Sequence, residues 1–351
     1  MSNNVKVVKG ALKEYLWGKP NGLAQWTDST NKNQAELWFG DHESNPSIDI
    51  KTNSVLKTKS SYPLLIKLLC ANEPLSIQVH PDFETAEEKF SEFKLSDTNG
   101  KDEMIFALEE FHAYAGIRDK SSLKNILNNL TFKNEAAILK DLDPDNEFSR
   151  NAKIIFSLNE QDLVKVIEKL KQNLNNLNLL SQEIKALNKI IEKYPKDPGV
   201  LLCLLMNFYV LQKGEAIHVR PGTPHSYVYG LGVEVMTNSD NVLRMGLTNK
   251  ELNIEAALSI VKDYEIQVLK LPTSDGIHIY KPETSFELLV IDNAAKAEIE
   301  SDFSCILNIE GETNIKIGSE EILIKSGQAA LSTQNISQIQ VKGHAVVART
   351  V

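Results

Sequence analysis

The sequence predicts a mainly β protein of two jelly-roll barrels, with an α-helical subdomain inserted into the first barrel. Three observations support this prediction. Short apolar runs separated by Pro, Gly and Asn clusters fill residues 1–118 and return after residue 199. Between them, apolar residues recur with the helical period. Residues 263–351 alternate between short strands and glycine turns, which is typical of a sandwich or barrel.

The first barrel is predicted to combine residues 1–118 with residues 199–262. We expect strands at 38–40, 64–69, 75–80 and 104–108, a helix over 83–93 after Pro81-Asp82, and a second helix over 249–262. The apolar run 200–211 is too short to span a membrane, so we interpret it as a buried strand.

The helical insert is predicted over residues 119–198 and ends at Asp197-Pro198-Gly199. Its clearest signal is an apolar stripe at Leu163, Ile167, Leu170, Leu174 and Leu177, continued at Ile184, Leu187 and Ile191. A coiled coil is the alternative, but Ser181 and Asn188 interrupt the heptad after about two repeats. A packed helical subdomain is therefore favoured. Residues 263–351 form the predicted C-terminal barrel.

The chain has 351 residues, a formal net charge of −9 and 42% hydrophobic residues. This length predicts two or three subdomains, and the acidic charge argues against binding to nucleic acid or an anionic membrane. Residues 1–4 open a polar stretch without a signal-peptide pattern. Cys70, Cys203 and Cys305 are an odd number in apolar contexts, which predicts reduced core thiols and a cytoplasmic protein.

The first candidate site lies in Leu75-Ser76-Ile77-Gln78-Val79-His80. Because side chains alternate along a strand, Ser76, Gln78 and His80 share one face, and Pro81 then ends the strand. Such a face can simply meet water. A Ser/Gln/His face is nevertheless unusual for a surface strand, so a lined pocket is the competing interpretation.

The second candidate is His225, which follows Pro221-Gly222-Thr223-Pro224. A histidine after a tight turn is usually a hydrogen-bonded structural residue. Gly-x-x-His at the start of a barrel strand is also how cupin-type jelly rolls direct a metal ligand inwards, although the usual spacing before that glycine is not kept here.

The third candidate is the strand entrance Gly100-Lys101-Asp102-Glu103-Met104. If one carboxylate points inwards, it can join Gln78, His80 and His225 as a ligand, and spacing alone does not choose between Asp102 and Glu103. Imidazole and carboxylate ligands suit Zn²⁺, with Mn²⁺ and Fe²⁺ as alternatives. Further along, Arg244 and Lys250 lie near a predicted helix start, where cations could grip a phosphate.

Together these segments resemble type I phosphomannose isomerases of the cupin superfamily over most of residues 5–262. The resemblance also rests on Glu14-Tyr15-Leu16-Trp17-Gly18, on Ala35-Glu36-Leu37-Trp38-Phe39-Gly40-Asp41-His42 and on the segment from Asp240 to Lys250. Members commonly have proline where this chain has Asp102, and proline where it has Asn249.

The resemblance implies two cupin-like barrels and one Zn²⁺ per chain, held by Gln78, His80, Glu103 and His225. It implies that Arg244 is the active-site arginine. The resemblance and the chemistry of the residues together give the remaining pocket positions. Lys101 and Glu234 are candidate bases. Ser76, Asp240, Lys250 and Trp17 are candidate substrate contacts.

The implied reaction interconverts mannose 6-phosphate and fructose 6-phosphate through a cis-enediol. The implied partner is a small sugar phosphate, and we expect a monomer or weak homo-oligomer. Two alternatives stay open: a non-catalytic sugar-phosphate-binding cupin, and another metal-dependent cupin enzyme such as an Fe²⁺ oxygenase. Four further histidines are interpreted as structural or surface residues: His112, His218, His278 and His344.

Overall fold

The computed structural model describes residues 5–30, 32–58, 63–130, 136–270, 276–292, 296–332 and 336–351. The strands in these ranges are β1 Val5–Lys9, β2 Ala11–Lys13, β3 Lys19–Pro20, β4 Asn33–Gln34, β5 Glu36–Phe39, β6 Ile48–Asp49, β7 Ser54–Val55, β8 Leu64–Ala71, β9 Ile77–Val79, β10 Glu103–Ala107, β11 Phe111–Ile117, β12 Met206–Leu211, β13 Ala216–Val219, β14 His225–Thr237, β15 Leu243–Gly246, β16 Val268–Leu269, β17 Ile277–Tyr280, β18 Phe286–Ile291, β19 Lys296–Ser301, β20 Ser304–Ile317, β21 Glu320–Lys325, β22 Gln328–Ser332 and β23 Ile336–Thr350. The α-helices are α1 Phe83–Lys89, α2 Lys120–Asn129, α3 Phe148–Phe156, α4 Glu160–Asn173, α5 Ser181–Lys193, α6 Gly199–Leu202 and α7 Ile254–Ile260, with short 3₁₀ turns at Ala137–Asp141, Leu174–Asn176 and Cys203–Leu205.

Two large antiparallel sheets dominate the molecule, which confirms the mainly β prediction. In the first sheet the order is β16-β13-β10-β14-β8-β5-β2, and β9, β11, β12 and β15 attach at its side. The long strand β14 is the organising element because it pairs with β8 and β10 along its second half and with β9 and β11 near His225. Four strands from distant parts of the chain therefore pair with β14, and two of them, β9 and β11, lie beside His225.

The second sheet has the order β17-β18-β23-β20-β22-β1-β6-β7, with β19 and β21 on β23 and β20. Its strand β1 comes from the other end of the chain and pairs with β22, Val7 lying opposite Ala330. The second sheet thus uses residues from both ends of the sequence. The jelly-roll description and the domain boundaries remain proposals.

The two sheets share one apolar core. Met104, Phe106 and Val233 of the first sheet belong to the same buried cluster as Leu288 and Val346 of the second. Alternation along β10 explains this arrangement, because Met104 and Phe106 face the second sheet while Glu103 and Ile105 face the opposite way. That opposite face, away from the second sheet, carries the candidate site.

The predicted insert is helical, since α2 to α5 all lie within residues 119–198. Its apolar stripe is buried, but it is divided between two helices: α4 ends at Asn173, and α5 begins at Ser181 after a 3₁₀ turn. The stripe packs in one apolar cluster with residues of β9, β11 and β15, so it is not a continuous coiled-coil seam. Asp119 begins α2 by accepting a hydrogen bond from the Ser122 backbone, 2.9 Å away.

Some element boundaries differ from the prediction. The run 200–211 is a strand only from Met206, because residues 199–205 form α6 and a 3₁₀ turn. An apolar run buried on all sides fits a short helix as well as a strand. Asp197, just before the helix, accepts the Gly199 N–H at 2.7 Å. The helices predicted over 83–93 and 249–262 are shorter, at Phe83–Lys89 and Ile254–Ile260.

None of the helices in the described ranges has the length and hydropathy needed to cross a bilayer. All three cysteines are buried and free, as the sequence predicts.

Candidate metal centre and catalytic pocket

Three buried side chains converge on the inner face of the first sheet. His80 follows β9, Glu103 begins β10 and His225 begins β14; each is at most 1% exposed. Nε2 of His225 lies 3.1 Å from Oε1 of Glu103, and Nε2 of His80 lies 3.4 Å from its Oε2. Their ligand atoms all lie within 4.8 Å of one another. In the ranges described above, this is the one group of three or more His, Cys, Asp or Glu residues close enough to share a metal ion.

Gln78 joins this group through strand register. Its backbone lies opposite His225 on β14 and opposite Arg244 on β15. Residues directly opposite in antiparallel strands point to the same face of a sheet, so these three side chains form one row. Ser76, two residues before Gln78, is half-buried and follows the same alternation.

The start of β10 shows which of the two acidic residues, Asp102 or Glu103, faces the histidines. Glu103 faces His80 and His225, whereas Asp102 points to the opposite face and lies 2.6 Å from Nε2 of His218. Glu103 takes this position because β10 pairs with β14 in the register that sets Glu103 opposite Met236. His218 therefore has a structural partner, as do His112, His278 and His344, which each contact a carboxylate.

A tight turn places His225. Gly222 has φ +89°, a left-handed conformation that suits glycine, and a Cβ there would lie 2.8 Å from the Ile260 carbonyl oxygen. The Gly222 N–H donates to the carbonyl of His80 at 2.8 Å, which holds the two histidine segments together. The turn thus joins β9 to β14 at the candidate centre.

Backbone carbonyls orient both imidazoles. Nδ1 of His80 lies 2.6 Å from the Asn241 carbonyl oxygen, and Nδ1 of His225 lies 3.0 Å from that of Thr223. Because a carbonyl oxygen only accepts, each Nδ1 carries a proton, and in the neutral imidazole this leaves Nε2 as the nitrogen that can bind a metal.

The donor set fits a metal ion. Three atoms are buried without a well-angled hydrogen bond to any described residue: Nε2 of His80, Nε2 of His225 and Oε2 of Glu103. Buried polar atoms normally have a partner, so these atoms fit the role of metal ligands. Burial and the neighbouring Lys101 lower the pKa of His80 to about 3, so its imidazole is neutral. Burial alone would raise the pKa of Glu103, but the neighbouring ammonium group of Lys101 holds it well below its ordinary value. Neutral imidazole and ionised carboxylate are the forms that bind zinc.

Tyr227 and Lys101 support Glu103 from two sides. The buried Tyr227 hydroxyl donates to Oε1 of Glu103 at 2.9 Å, and burial together with Glu103 raises the pKa of this phenol. Nζ of Lys101 lies 3.1 Å from Oε2, and Lys101 is only 4% exposed. The sequence predicted Lys101 at the pocket but did not identify Tyr227.

Glu234 belongs to a second buried charge group on the same face. Nζ of Lys67 lies 2.9 Å from Oε2 of Glu234 and 3.9 Å from Oε1 of Glu36, and it sits 4.6 Å from the centre of the Trp38 ring. Burial raises the pKa of Glu234, and the neighbouring Glu103 adds to this shift while Lys67 opposes it. Sequence reasoning missed Lys67, although a lysine inside the apolar run 64–69 was a visible signal.

Three of the remaining predicted residues line a small cleft, and Trp17 is linked to it through an aromatic contact. Asp240, Arg244 and Lys250 line a cleft of about 300 Å³. Burial lowers the pKa of the half-buried Arg244, and Asp240 opposes that shift. Trp17 stacks on Tyr15 at 5.5 Å between ring centres, and Nζ of Lys250 lies 5.8 Å from the Tyr15 ring. Tyr15 thus links Trp17 to the cationic cleft, a contact that the sequence did not predict.

Comparisons with known proteins agree with this architecture. The family model "Phosphomannose isomerase type I, catalytic domain" matches residues 6–120. The mannose-6-phosphate isomerase of Escherichia coli (strain K12) is 29% identical to this chain, with 97% of each chain covered. The probable mannose-6-phosphate isomerase of Caenorhabditis elegans is 27% identical, with 97% of this chain and 89% of that protein covered.

Solved structures give the same fold over the full length. The apo form of mannose 6-phosphate isomerase from Salmonella typhimurium superposes with a TM-score of 0.85 at 25% identity, covering 100% of both chains. A zinc-bound mannose 6-phosphate isomerase superposes with a TM-score of 0.85 at 24% identity, covering 99% of both. These matches include both sheets and the helices between them.

Proposed function

The chain belongs to the type I phosphomannose isomerase family, and on that premise we propose that it is a zinc-dependent isomerase interconverting mannose 6-phosphate and fructose 6-phosphate. The observation that carries the proposal is the convergence of His80, Glu103 and His225 beside the row that continues to Arg244. One Zn²⁺ per chain would be held by these three residues together with Gln78. We further propose that the protein acts in the cytoplasm.

Bound zinc would supply a Lewis acid for the substrate oxygens. The residues of the chain supply the other requirements of an aldose–ketose isomerisation through a cis-enediol. As a proton moves between C2 and C1, negative charge develops on the two oxygens. The half-buried guanidinium of Arg244 shares its row with Gln78 and is suited to stabilise that charge.

Glu234 and Lys101 are the candidates for moving the proton. Glu234 is buried on the same face as Glu103, and Lys67 at 2.9 Å favours its ionised form, which a proton acceptor requires. Nζ of Lys101 lies 3.1 Å from Oε2 of Glu103, and Lys101 would have to give up its proton before it could act as the base. A Glu234→Gln variant that retains normal turnover would leave Lys101 as the base.

The substrate would be positioned by residues in and beside the cleft that holds Arg244. Lys250 and Ser76 are proposed contacts for the phosphate, and Asp240 and Trp17 are proposed contacts for the rest of the substrate. Anchoring the phosphate holds C1 and C2 in one place relative to the base, which supplies much of the rate enhancement in such reactions.

The test is a coupled assay that adds mannose 6-phosphate and follows fructose 6-phosphate. Activity is measured before chelation, after removal of the metal, and after zinc is returned. We expect activity to disappear and then recover. Turnover that is unaffected once metal analysis confirms that zinc has been removed would contradict the metal centre, and tight binding of mannose 6-phosphate without turnover would favour a non-catalytic sugar-phosphate-binding protein.

A further inference from the structure

Asn241 is fully buried next to the candidate metal centre, and its side chain makes five hydrogen bonds. Its Oδ1 accepts from the backbone N–H groups of Ser96 at 2.8 Å and Asp97 at 3.2 Å. Its Nδ2 donates to the carbonyl oxygens of Asp97 and Asn99, both at 2.8 Å, and to Oδ1 of Asp97 at 3.1 Å. The amide group is therefore fixed in one orientation.

The same residue holds a metal ligand through its backbone. Its carbonyl oxygen accepts the Nδ1 proton of His80 at 2.6 Å, and this bond leaves Nε2 of His80 free to face Glu103. The carbonyl can hold the imidazole only if the peptide group itself is held. The five side-chain bonds supply that restraint.

These contacts join three separate segments of the active site. Residues 96–99 lead directly into Lys101 and Glu103. Residues 238–241 lead into Arg244, and His80 ends the segment that carries Gln78. Asp97 strengthens the junction, because its carboxylate also accepts from the Ser239 hydroxyl at 2.9 Å and from the Asp240 N–H at 3.1 Å. A shift of Asn241 would therefore move ligands and the arginine together.

We propose that Asn241 is a positioning residue that sets the orientation of His80 and couples the metal ligands to the segment carrying Arg244. The inference rests on the proposed function, because it assumes that a metal binds at His80, Glu103 and His225. Asn241 itself does not line the cleft that holds Asp240, Arg244 and Lys250. Its effect is exerted through the tautomer and ring position of His80 and through the loop of residues 96–99.

The test compares zinc affinity in Asn241→Ala with that in Asn151→Ala. Asn151 is a matched control because it is 1% exposed and its side chain makes three comparable hydrogen bonds, but it lies in α3 of the helical insert. Metal-free proteins are titrated with zinc in the presence of a competing indicator, without substrate. Loss of an outer contact to a metal ligand commonly weakens binding about 10–100-fold, and we expect that range for Asn241→Ala. Asn151→Ala should bind zinc like the unsubstituted protein.

Two readouts separate positioning from general destabilisation. The cobalt-substituted Asn241→Ala protein should show an altered visible absorption spectrum, and its turnover at saturating zinc should remain below normal because Arg244 is also displaced. Asn241→Ser replaces the amide by a short hydroxyl group that can make only some of the five hydrogen bonds, so it should show an intermediate loss of affinity, and it serves if the alanine variant does not fold.

The outcomes distinguish this inference from the proposed function. If the unsubstituted chain binds no zinc, the proposed metal centre fails and this role fails with it. If it binds zinc and isomerises mannose 6-phosphate, but Asn241→Ala and Asn241→Ser bind zinc equally well, only the role of Asn241 is overturned. Equal weakening in Asn151→Ala would likewise overturn it, because the effect would then be general.

Discussion

Lys67 should be essential for stability because it is the cation between two buried carboxylates. Lys67, Glu234 and Glu36 are each less than 10% exposed, and Nζ lies 2.9 Å from Glu234 and 3.9 Å from Glu36. Burial alone would lower the pKa of Lys67, but these two carboxylates raise it above its ordinary value. Lys67→Met keeps most of the side-chain volume and removes the charge.

Removing one partner of a buried ion pair costs about 3–5 kcal/mol, because the other charge is left unpaired. We expect the lower part of that range at pH 8, since Glu36 keeps its hydrogen bond from Nε1 of Trp38 at 2.9 Å. The measurement is the free energy of unfolding in urea, followed by circular dichroism. Lys13→Met is the control: Lys13 also lies over the Trp38 ring, at 5.0 Å, but has no buried carboxylate partner in the described ranges. It should change stability by about 0.5 kcal/mol or less.

The pH dependence tests the cause. The pKa of Glu234 is already raised in the folded state, and loss of Lys67 must raise it further. When the pKa of an acid is higher in the folded than in the unfolded state, the folded state binds the proton more tightly. The acid therefore favours folding at low pH, and this contribution to the free energy of unfolding is lost as pH rises through the folded pKa. The cost of Lys67→Met should therefore be smaller at pH 5.5 than at pH 8, and Lys67→Met/Glu234→Gln should recover more than half of it. An equal cost at both pH values, or no recovery in the double variant, would refute the electrostatic explanation.

Three further predictions concern the site and the core. Arg244→Ala should bind zinc normally but lose about 10²–10³-fold in kcat, as expected when one donor to a developing negative charge is removed; near-normal turnover in the coupled assay would remove Arg244 from the mechanism. Tyr227→Phe should weaken zinc binding about 10-fold by removing the 2.9 Å hydrogen bond to Glu103, measured by competition with an indicator, and unchanged affinity would show that this bond does not support the ligand. Burial raises the pKa of all three thiols, so the native protein should react with a thiol reagent only as fast as it unfolds; a rapid reaction of any thiol in native buffer would contradict its burial at Cys70, Cys203 or Cys305.

Local pattern was sufficient for the features that depend on neighbouring residues. Alternation in β9 and the turn before His225 identify residues whose side chains share a face, and helical periodicity finds the insert. Local pattern could not decide between Asp102 and Glu103, because adjacent strand residues always point to opposite faces. That choice is made by the pairing of β10 with β14, which are more than 100 residues apart in the sequence. It is a property of the sheet and not of the strand.

The same limit explains the features that were missed or misassigned. Residues 200–205 are buried on all sides, so no polar face reveals whether the run is strand or helix. The pairing of β1 with β22 joins the two ends of the chain, and neither segment carries a sign of its partner. Lys67 is different, because a charge inside an apolar strand requires a buried partner and could have been identified as a pocket residue from the sequence.

The helical insert contacts the segment that carries Trp17, a contact that its sequence does not reveal. On one side, Glu183 of α5 meets the buried Arg118 at 2.5 Å, which fixes the helix to the end of β11. On the other side, Lys189 and Lys193 of the same helix contact the backbone of Asn72 and the side chain of Glu73. The N–H groups of Asn72 and Glu73 both donate to the carbonyl oxygen of Trp17, at 2.9 and 3.1 Å. Helix α5 therefore supports the segment that holds the Trp17 backbone, so removing the insert should disturb the position of Trp17 as well as expose the apolar core beneath the insert.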